Sequence, residues 1–229
     1  MPYGFRVEVW GDYACFSRPE LKVERVSYEI ITPCAARGLL EAIFWKPAIR
    51  YVVDQINVCS PIRFDNIRRN ELSSKIPYSS PKAAVDKLQK GTLNLSASAD
   101  RTQRAAMVLK NVRYVISFHF EMTEKAGSED SVEKFAAIIN RRLERGQCFH
   151  APYLGTREFP ANFRFIPNAE EAPAPIDEDR IFGPMLYGID YVKKIDKKGQ
   201  EMVTAFEPMY FIAEMRGGIV DLREVEILR

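Results

Sequence analysis

The chain has 229 residues, of which 46% are hydrophobic and 28% are charged. This length and composition suit a globular protein with a sizeable core, built as one large domain or two small ones. Lysine and arginine, 33 together, nearly balance 31 acidic residues, so the net charge of +2 does not by itself indicate a nucleic-acid-binding protein. Any basic surface must come from local clustering of charge.

No segment predicts membrane insertion or secretion, because no apolar run approaches about 20 residues and MPYGFRVEVWGDYACF does not resemble a signal peptide. We therefore expect a cytoplasmic protein without membrane contact. The four cysteines are far apart and the two histidines are His119 and His150, which argues against a zinc site. A magnesium site made of carboxylates alone stays open, but no D-x-D cluster demands one. We expect no metal and no cofactor.

The first half of the chain predicts two strands around one helix. Residues 5–10 alternate apolar and polar side chains, which is the pattern of a half-buried strand. In TPCAARGLLEAIFWKP, Thr32 can cap a helix, Pro33 suits its first turn, and the final proline ends it. Residues 49–58 are rich in β-branched side chains and predict the next strand. The polar stretch 66–104 predicts a long irregular insertion.

The middle of the chain predicts a strand, a helix and another strand. Residues 112–122 alternate cleanly, so one face of this strand should be core and the other wet or functional. Asp130 and Glu133 have the spacing of a capping box at the start of a helix that runs to Gly146. A strand at 159–166 would then complete the β-α-β-β-α-β order of the ferredoxin-like or RNA-recognition-motif (RRM) plan.

The last part of the chain predicts a separate small sheet. Residues 168–180 are acidic and rich in proline, which indicates a linker or exposed loop. Short strands follow, separated by DKKG and GG turn signals. We therefore predict an α+β fold with a ferredoxin-like (RRM-like) domain over 1–167, carrying the insertion around 66–104, and a small antiparallel β-sheet domain over 168–229.

The second predicted helix carries a basic stripe opposite its apolar face. Placing residues at intervals of about 100° puts Lys134, Arg141 and Arg145 close together, with Arg142 at their flank. A solvated charged face is the ordinary explanation. Because Glu144 is the one acidic neighbour that we identify along this stripe, phosphate binding is an equal alternative.

The segment RGQCFHAPYLGTREF follows this helix. His150 is a better catalytic candidate than His119, because Tyr153, Arg157 and the basic end of the helix are close to it in sequence. Gly155 would allow a positive φ and a close approach to a ligand, and Tyr153 could stack on a base. A tight turn with a core aromatic is the slightly favoured alternative. No G-x-S-x-G elbow or phosphate-binding P-loop is present.

Four segments resemble the type I-C (subtype Dvulg) CRISPR-associated subunit of the repeat-associated (RAMP) superfamily: GDYACF at 11–16, AIFWKP at 42–47, RTQR at 101–104, and NRRLERGQCFHAPYLGTREFPA at 140–161. The resemblance implies an RRM domain joined to a small β-sheet domain. Members of this family bind the repeat hairpin of precursor CRISPR RNA and cut it at its 3′ base without metal. They keep the 5′ handle of the mature crRNA within the interference complex, whose other subunits are therefore implied partners.

Cleavage of this type uses the 2′-OH of the RNA as nucleophile and needs a base, an acid and a cation. The family assigns these tasks to a tyrosine before W-K-P and to an adjacent lysine and histidine near the start of the second helix. Here the resemblance places them at Phe44, Lys134 and Phe135. Phenylalanine cannot transfer a proton, so neighbouring groups would have to replace it. The catalytic candidates are Lys134, His150, Tyr13 and His119.

RNA contacts are expected from arginines and loop residues of the same segments: Arg141, Arg142, Arg145, Tyr153, Gly155, Arg157, Arg101 and Arg104. The favoured function is a metal-independent endoribonuclease with an altered site. Two alternatives stay open. One is a non-catalytic scaffold that binds the crRNA handle, and the other is a less specific, metal-stimulated nuclease that also acts on DNA.

Overall fold

The computed structural model describes residues 4–21, 23–74, 97–195 and 201–229. In chain order its elements are β1 (Phe5–Ala14), β2 (Arg25–Val26), α1 (Pro33–Ile43), β3 (Ile49–Val58), β4 (Phe64–Leu72), β5 (Arg101–Met122), α2 (Val132–Glu144), β6 (Asn162–Phe165), a 3-10 turn (Ala169–Glu171), β7 (Arg180–Ile195), β8 (Glu201–Met215) and β9 (Ile219–Asp221). The fold is α+β, as predicted. Over the described ranges, no helix is long and apolar enough to cross a membrane.

The central sheet has the strand order β6-β1-β5-β3-β9, and β2 and β4 pair with β5 beside this path. Counted along the β-α-β-β-α-β order, β1, β3, β5 and β6 are the first to fourth strands. Their order in the sheet, fourth, first, third, second, is consistent with the predicted ferredoxin-like plan. The register places Val9 of β1 between Tyr114 of β5 and Phe163 of β6.

Both helices pack their apolar sides into the core cluster formed with the inward side chains of the sheet. The predicted start of α1 is confirmed, because the Thr32 hydroxyl accepts a hydrogen bond from Ala35 N–H at 3.3 Å and Pro33 occupies the first turn. The predicted capping box of α2 is wrong. Ser131 caps this helix by accepting from Lys134 N–H at 3.2 Å, whereas Asp130 accepts from Gly127 N–H one turn earlier.

The predicted irregular insertion over 66–104 is wrong at both ends. Residues 66–72 lie in β4 and residues 101–104 lie in β5, and the two strands pair continuously from Phe64 opposite Leu109 to Leu72 opposite Arg101. Residues 75–96 lie outside the described residues. Exposed and half-buried side chains alternate along β4, and its apolar residues do not recur at every second position. Pairing with β5, not burial, therefore explains this strand.

The predicted C-terminal sheet is partly wrong. β7 and β8 form a separate two-stranded sheet, but β9 pairs with β3 of the central sheet, with Val220 opposite Ile56. Met185 and Phe211, from β7 and β8, are buried in the same hydrophobic core as the helices. The C-terminal segment therefore shares its core with the preceding part of the chain. The DKKG turn signal lies outside the described residues.

Candidate functional site

The two family catalytic positions that carry phenylalanine meet in the core. Phe44 directly follows α1 and Phe135 lies in the first turn of α2, and their side chains are 6% and 3% exposed. Their ring centroids are 6.2 Å apart, and Phe120 of β5 packs edge-on against Phe135 at 6.4 Å. We call the Phe44–Phe135 pair the aromatic cluster. The structure brings together the positions that the resemblance implies, but here they are packing residues.

Polar groups hold the end of α1 on two sides of the aromatic cluster. Arg142 Nη1 donates to the Ile43 carbonyl at 2.9 Å, and its guanidinium lies 5.3 Å from the Phe44 ring centroid. The Tyr51 hydroxyl donates to the Phe44 carbonyl at 2.9 Å. Burial raises the pKa of Tyr51 far above its ordinary value, so this hydroxyl remains a donor. The guanidinium of Arg142, a predicted RNA contact, joins α2 to α1.

Lys134 lies at the beginning of α2 with a half-exposed side chain. Its Nζ is 5.8 Å from the Phe135 ring centroid and donates to Asp130 Oδ1 at 3.0 Å. A hydrogen bond from Gly127 N–H, another from Lys134 and the charge of Lys46 lower the pKa of Asp130, which keeps it ionised. The expectation that the basic stripe lacks such a partner is therefore wrong for Lys134. Exposed ion pairs are weak, so Lys134 can exchange this carboxylate for a phosphate.

The segment after α2 bonds the backbone of His150 to Ala42, two residues before Phe44 of the aromatic cluster. The backbone N–H groups of Phe149 and His150 both donate to the Ala42 carbonyl at 3.0 Å and so cap the last turn of α1. Both side chains are exposed, and their ring centroids are 4.4 Å apart. Of the four predicted catalytic residues, Lys134 thus lies beside Phe135, and the backbone of His150 is bonded two residues before Phe44.

His119 and Tyr13 lie elsewhere. His119 is on the face of β5 away from the helices, with Nδ1 2.9 Å from Asp54 Oδ1. Tyr13 of β1 packs against Phe159, with ring centroids 6.0 Å apart. In the described part of the chain, neither side chain contacts the aromatic cluster. The geometry therefore separates them from Lys134 and His150.

The remainder of the predicted loop docks on the end of β1. The Leu154 carbonyl accepts from Cys15 N–H at 3.0 Å. Gly155 has φ +85°, and a Cβ at this position would lie 2.0 Å from the Cys15 carbonyl oxygen. Tyr153 is partly exposed beside a cavity of about 290 Å³ between this loop and α1. The structure thus divides the single predicted loop between the aromatic cluster and β1.

Most of the predicted RNA-contacting arginines remain exposed. Four of them make no ion pair with any described residue: Arg141, Arg145, Arg157 and Arg101. Arg104 is different, because its Nη1 lies 3.8 Å from Glu71 of β4. Glu158 pairs with Arg69 of β4, which joins the loop that carries Arg157 to the β4–β5 pair. Guanidinium groups without an ion pair to a described residue are therefore available at α2 and near the contact between Glu158 and Arg69.

Sequence analysis did not single out two exposed aromatic side chains, Trp45 and Phe149. Trp45 is 54% exposed and follows Phe44, and Phe149 is 72% exposed and precedes His150. Large aromatic side chains beside cationic groups are typical of surfaces on which unpaired bases stack. The signal in the sequence was their position next to residues already singled out.

The arrangement offers an exposed cation at the start of α2 and an exposed imidazole on the segment bonded to the end of α1. Lys134 can stabilise a charged phosphorane, and the His150 imidazole can accept or donate a proton. Among the described residues, no group of three His, Cys, Asp or Glu side chains could hold a metal ion.

Comparison with known proteins agrees with the family resemblance. The Cas5d family model, described as CRISPR-associated protein (Cas5), matches residues 4–223. Two relatives, from Mannheimia succiniciproducens and Thermus thermophilus, are both called CRISPR pre-crRNA endoribonuclease Cas5d. They are 45% and 38% identical over 95% of this chain, which covers 93% and 90% of their lengths.

Two solved structures share the fold, each with a TM-score of 0.66 and 20% identity. One is a crystal structure of a CRISPR-associated protein, and the match covers 99% of this chain and 96% of that one. The other is a functionally uncharacterized protein from Streptococcus mutans, with 96% and 92% covered. Because the Cas5d family model matches residues 4–223 and the two Cas5d relatives are 45% and 38% identical to it, the chain belongs to the Cas5d family of CRISPR-associated proteins.

Proposed function

We propose that the chain is an endoribonuclease that binds the repeat hairpin of precursor CRISPR RNA and cleaves it. It then remains on the 5′ handle as a subunit of the type I-C interference complex. The names of the two Cas5d relatives support the activity. The observation that carries the proposal is that Lys134 lies beside Phe135 and that the backbone of His150 is bonded to Ala42, two residues before Phe44. The resemblance places catalytic groups at these two phenylalanines.

In the proposed reaction, the RNA 2′-oxygen attacks the adjacent phosphorus as its proton is removed. The new O2′–P bond forms and the P–O5′ bond breaks, which leaves a 2′,3′-cyclic phosphate and a 5′-hydroxyl. Lys134 stabilises the charge of the phosphorane. His150 performs one of the two proton transfers and solvent performs the other. With one imidazole in place of two proton-transferring side chains, cleavage should be slow.

Cleavage in EDTA tests the proposal directly. Incubating the protein in excess over its cognate repeat hairpin should give one cut and a product that ends in a 2′,3′-cyclic phosphate. The Lys134→Ala variant, purified in the same way, should cleave much more slowly, which separates the activity from a contaminating nuclease. Intact RNA after prolonged incubation with the unchanged protein would contradict the proposed activity.

The burial of Phe44 and Phe135 supports a second candidate function. A pair of hydrocarbon rings at two catalytic positions suits a subunit that binds the crRNA handle without cutting RNA. This scaffold should bind the hairpin tightly and with strong salt dependence, yet release no product in the same assay.

Binding through Arg141 and Arg145 is predicted by both functions. Arg141 is exposed on α2 and Arg145 is exposed directly after it. Replacing either with alanine should weaken hairpin binding and reduce the slope of log K against log salt by about 1 per lost phosphate contact. Titrations at several salt concentrations measure this slope. Arg223→Ala is the matched control, because Arg223 lies just beyond β9 and is also exposed, but it pairs with Asp221, the last residue of that strand. Equal slopes for all three variants would exclude α2 as a phosphate-binding surface.

A further inference from the structure

The face of the central sheet away from the helices carries a cavity of about 560 Å³ that lies across β1, β5 and β6. Side chains of a strand alternate between faces, so Glu8 and Trp10 point away from the core that holds Val7 and Val9. The register sets Trp10 opposite Arg113 and Glu8 opposite Arg164. Four side chains of this cavity are thus close neighbours on adjacent strands.

A buried carboxylate fixes both arginines. Glu8 is 1% exposed, and its Oε1 accepts from Arg113 Nε at 2.5 Å while its Oε2 accepts from Arg164 Nη2 at 2.6 Å. A buried carboxylate is costly without such partners, so removing either arginine would leave Glu8 partly unpaired. Glu8, Arg113 and Arg164 therefore form one linked group. The two arginine side chains remain about half exposed. Their guanidinium groups are therefore preorganised at one edge and open to solvent at the other.

Trp10 and three further polar residues also line the cavity. Trp10 is 36% exposed, and the polar lining also includes Asp12, Ser60 and Asn111. The negative charges of Glu8 and Asp12 balance the positive charges of Arg113 and Arg164. The cavity is therefore not simply a phosphate site. An aromatic platform beside fixed guanidinium groups and several hydrogen-bonding groups suits a nucleotide, whose base stacks, whose edge forms hydrogen bonds and whose phosphate is anionic.

We propose that this cavity binds one unpaired nucleotide of an RNA strand. The base stacks on Trp10, its edge is bonded by Asp12 or Asn111, and its phosphate faces Arg113 and Arg164. This site lies on the opposite face of the sheet from the aromatic cluster. The proposal goes beyond hairpin cleavage and rests on the proposed function only for the choice of RNA as ligand.

The fluorescence of Trp10 tests this site. The chain has two tryptophans, so in the Trp45→Phe variant Trp10 is the one that remains. An unstructured eight-nucleotide RNA of mixed sequence should quench its fluorescence in a saturable manner, because a stacked base contacts the indole. Trp10→Ala in the otherwise unchanged chain should weaken binding of this octamer about tenfold, as expected for one lost stacking contact. Arg164→Gln should also weaken it.

Phe206→Ala is the matched control, since Phe206 is a highly exposed aromatic of β8, outside the lining of the cavity. It should leave octamer affinity unchanged. Unaltered Trp10 fluorescence at high octamer concentration, or equal octamer affinity of Trp10→Ala and the unchanged protein, would overturn the proposal. Hairpin cleavage by the unchanged protein is scored separately, so failure of the proposed function remains distinguishable from failure of this site.

Discussion

Replacing His150 with alanine is expected to lower the single-turnover rate of hairpin cleavage by about 10² to 10⁴-fold, the usual contribution of a general acid or base. The reason is positional. The family tyrosine and histidine positions are buried phenylalanines, and His150 has an exposed imidazole and a backbone bond to Ala42, two residues before Phe44. Hairpin affinity should change much less than the rate. Rates measured with excess protein, in EDTA, together with binding titrations, separate these two effects.

His119→Ala is the matched control for this variant. It also removes an imidazole, but His119 pairs with Asp54 on the face of the sheet away from the helices. Its cleavage rate should stay close to that of the unchanged protein. A similar loss in the two variants, or a larger loss for His119→Ala, would exclude His150 as the proton-transferring group.

The elements predicted correctly from the sequence are those in which buried apolar residues recur at the spacing of a helix or a strand. The apolar stripe of α1 and its Thr32 cap are observed, as is the alternation along β5 that buries Tyr114, Ile116 and Phe118. β4 could not be predicted in this way, because its side chains alternate between exposed and half-buried and its backbone is satisfied by β5. Its strand conformation depends on a partner far away in the sequence, which local propensity does not contain.

The residues of the candidate site could be named from the sequence, but which of them lie together in the structure could not. His150 and Tyr153 are three residues apart, which suggested one shared site. In the structure, His150 is held by the last turn of α1, whereas Leu154 is held by the backbone of Cys15. These two long-range hydrogen bonds pull the halves of the loop to different elements. Spacing along the chain cannot reveal them.

The aromatic cluster explains how two polar positions could become apolar together. Removing one of two neighbouring polar groups leaves its partner buried and unpaired, which costs free energy. Replacing both by rings that pack on each other avoids that cost, and Phe44 and Phe135 do pack in this way. Of the surrounding polar groups, Arg142 Nη1 and the Tyr51 hydroxyl donate to backbone carbonyls at the α1 end, whereas the buried Arg142 Nε has no hydrogen-bond partner among the described residues. The two positions therefore keep a well-packed support for the ends of α1 and α2.

Replacing Gly155 with alanine is expected to lower the free energy of unfolding by about 4 kcal/mol or more, because two costs add. The backbone of Gly155 has φ +85°, a conformation that disfavours any side chain. A Cβ would also lie 2.0 Å from the Cys15 carbonyl oxygen, so β1 and the loop would have to separate. Their separation would break the bond from Cys15 N–H to the Leu154 carbonyl. Urea unfolding of the two proteins measures the difference.

Gly146→Ala separates the two costs. Gly146 follows α2 with φ +61°, but a Cβ there would have no atom within 4 Å. This variant should lose about 1 kcal/mol, the cost of the left-handed backbone conformation alone. The difference between the two variants then measures how tightly the loop is docked on β1. If both lose the same free energy, the close approach of Gly155 to Cys15 does not restrain the loop, and the division of this segment between two elements would lose its structural basis.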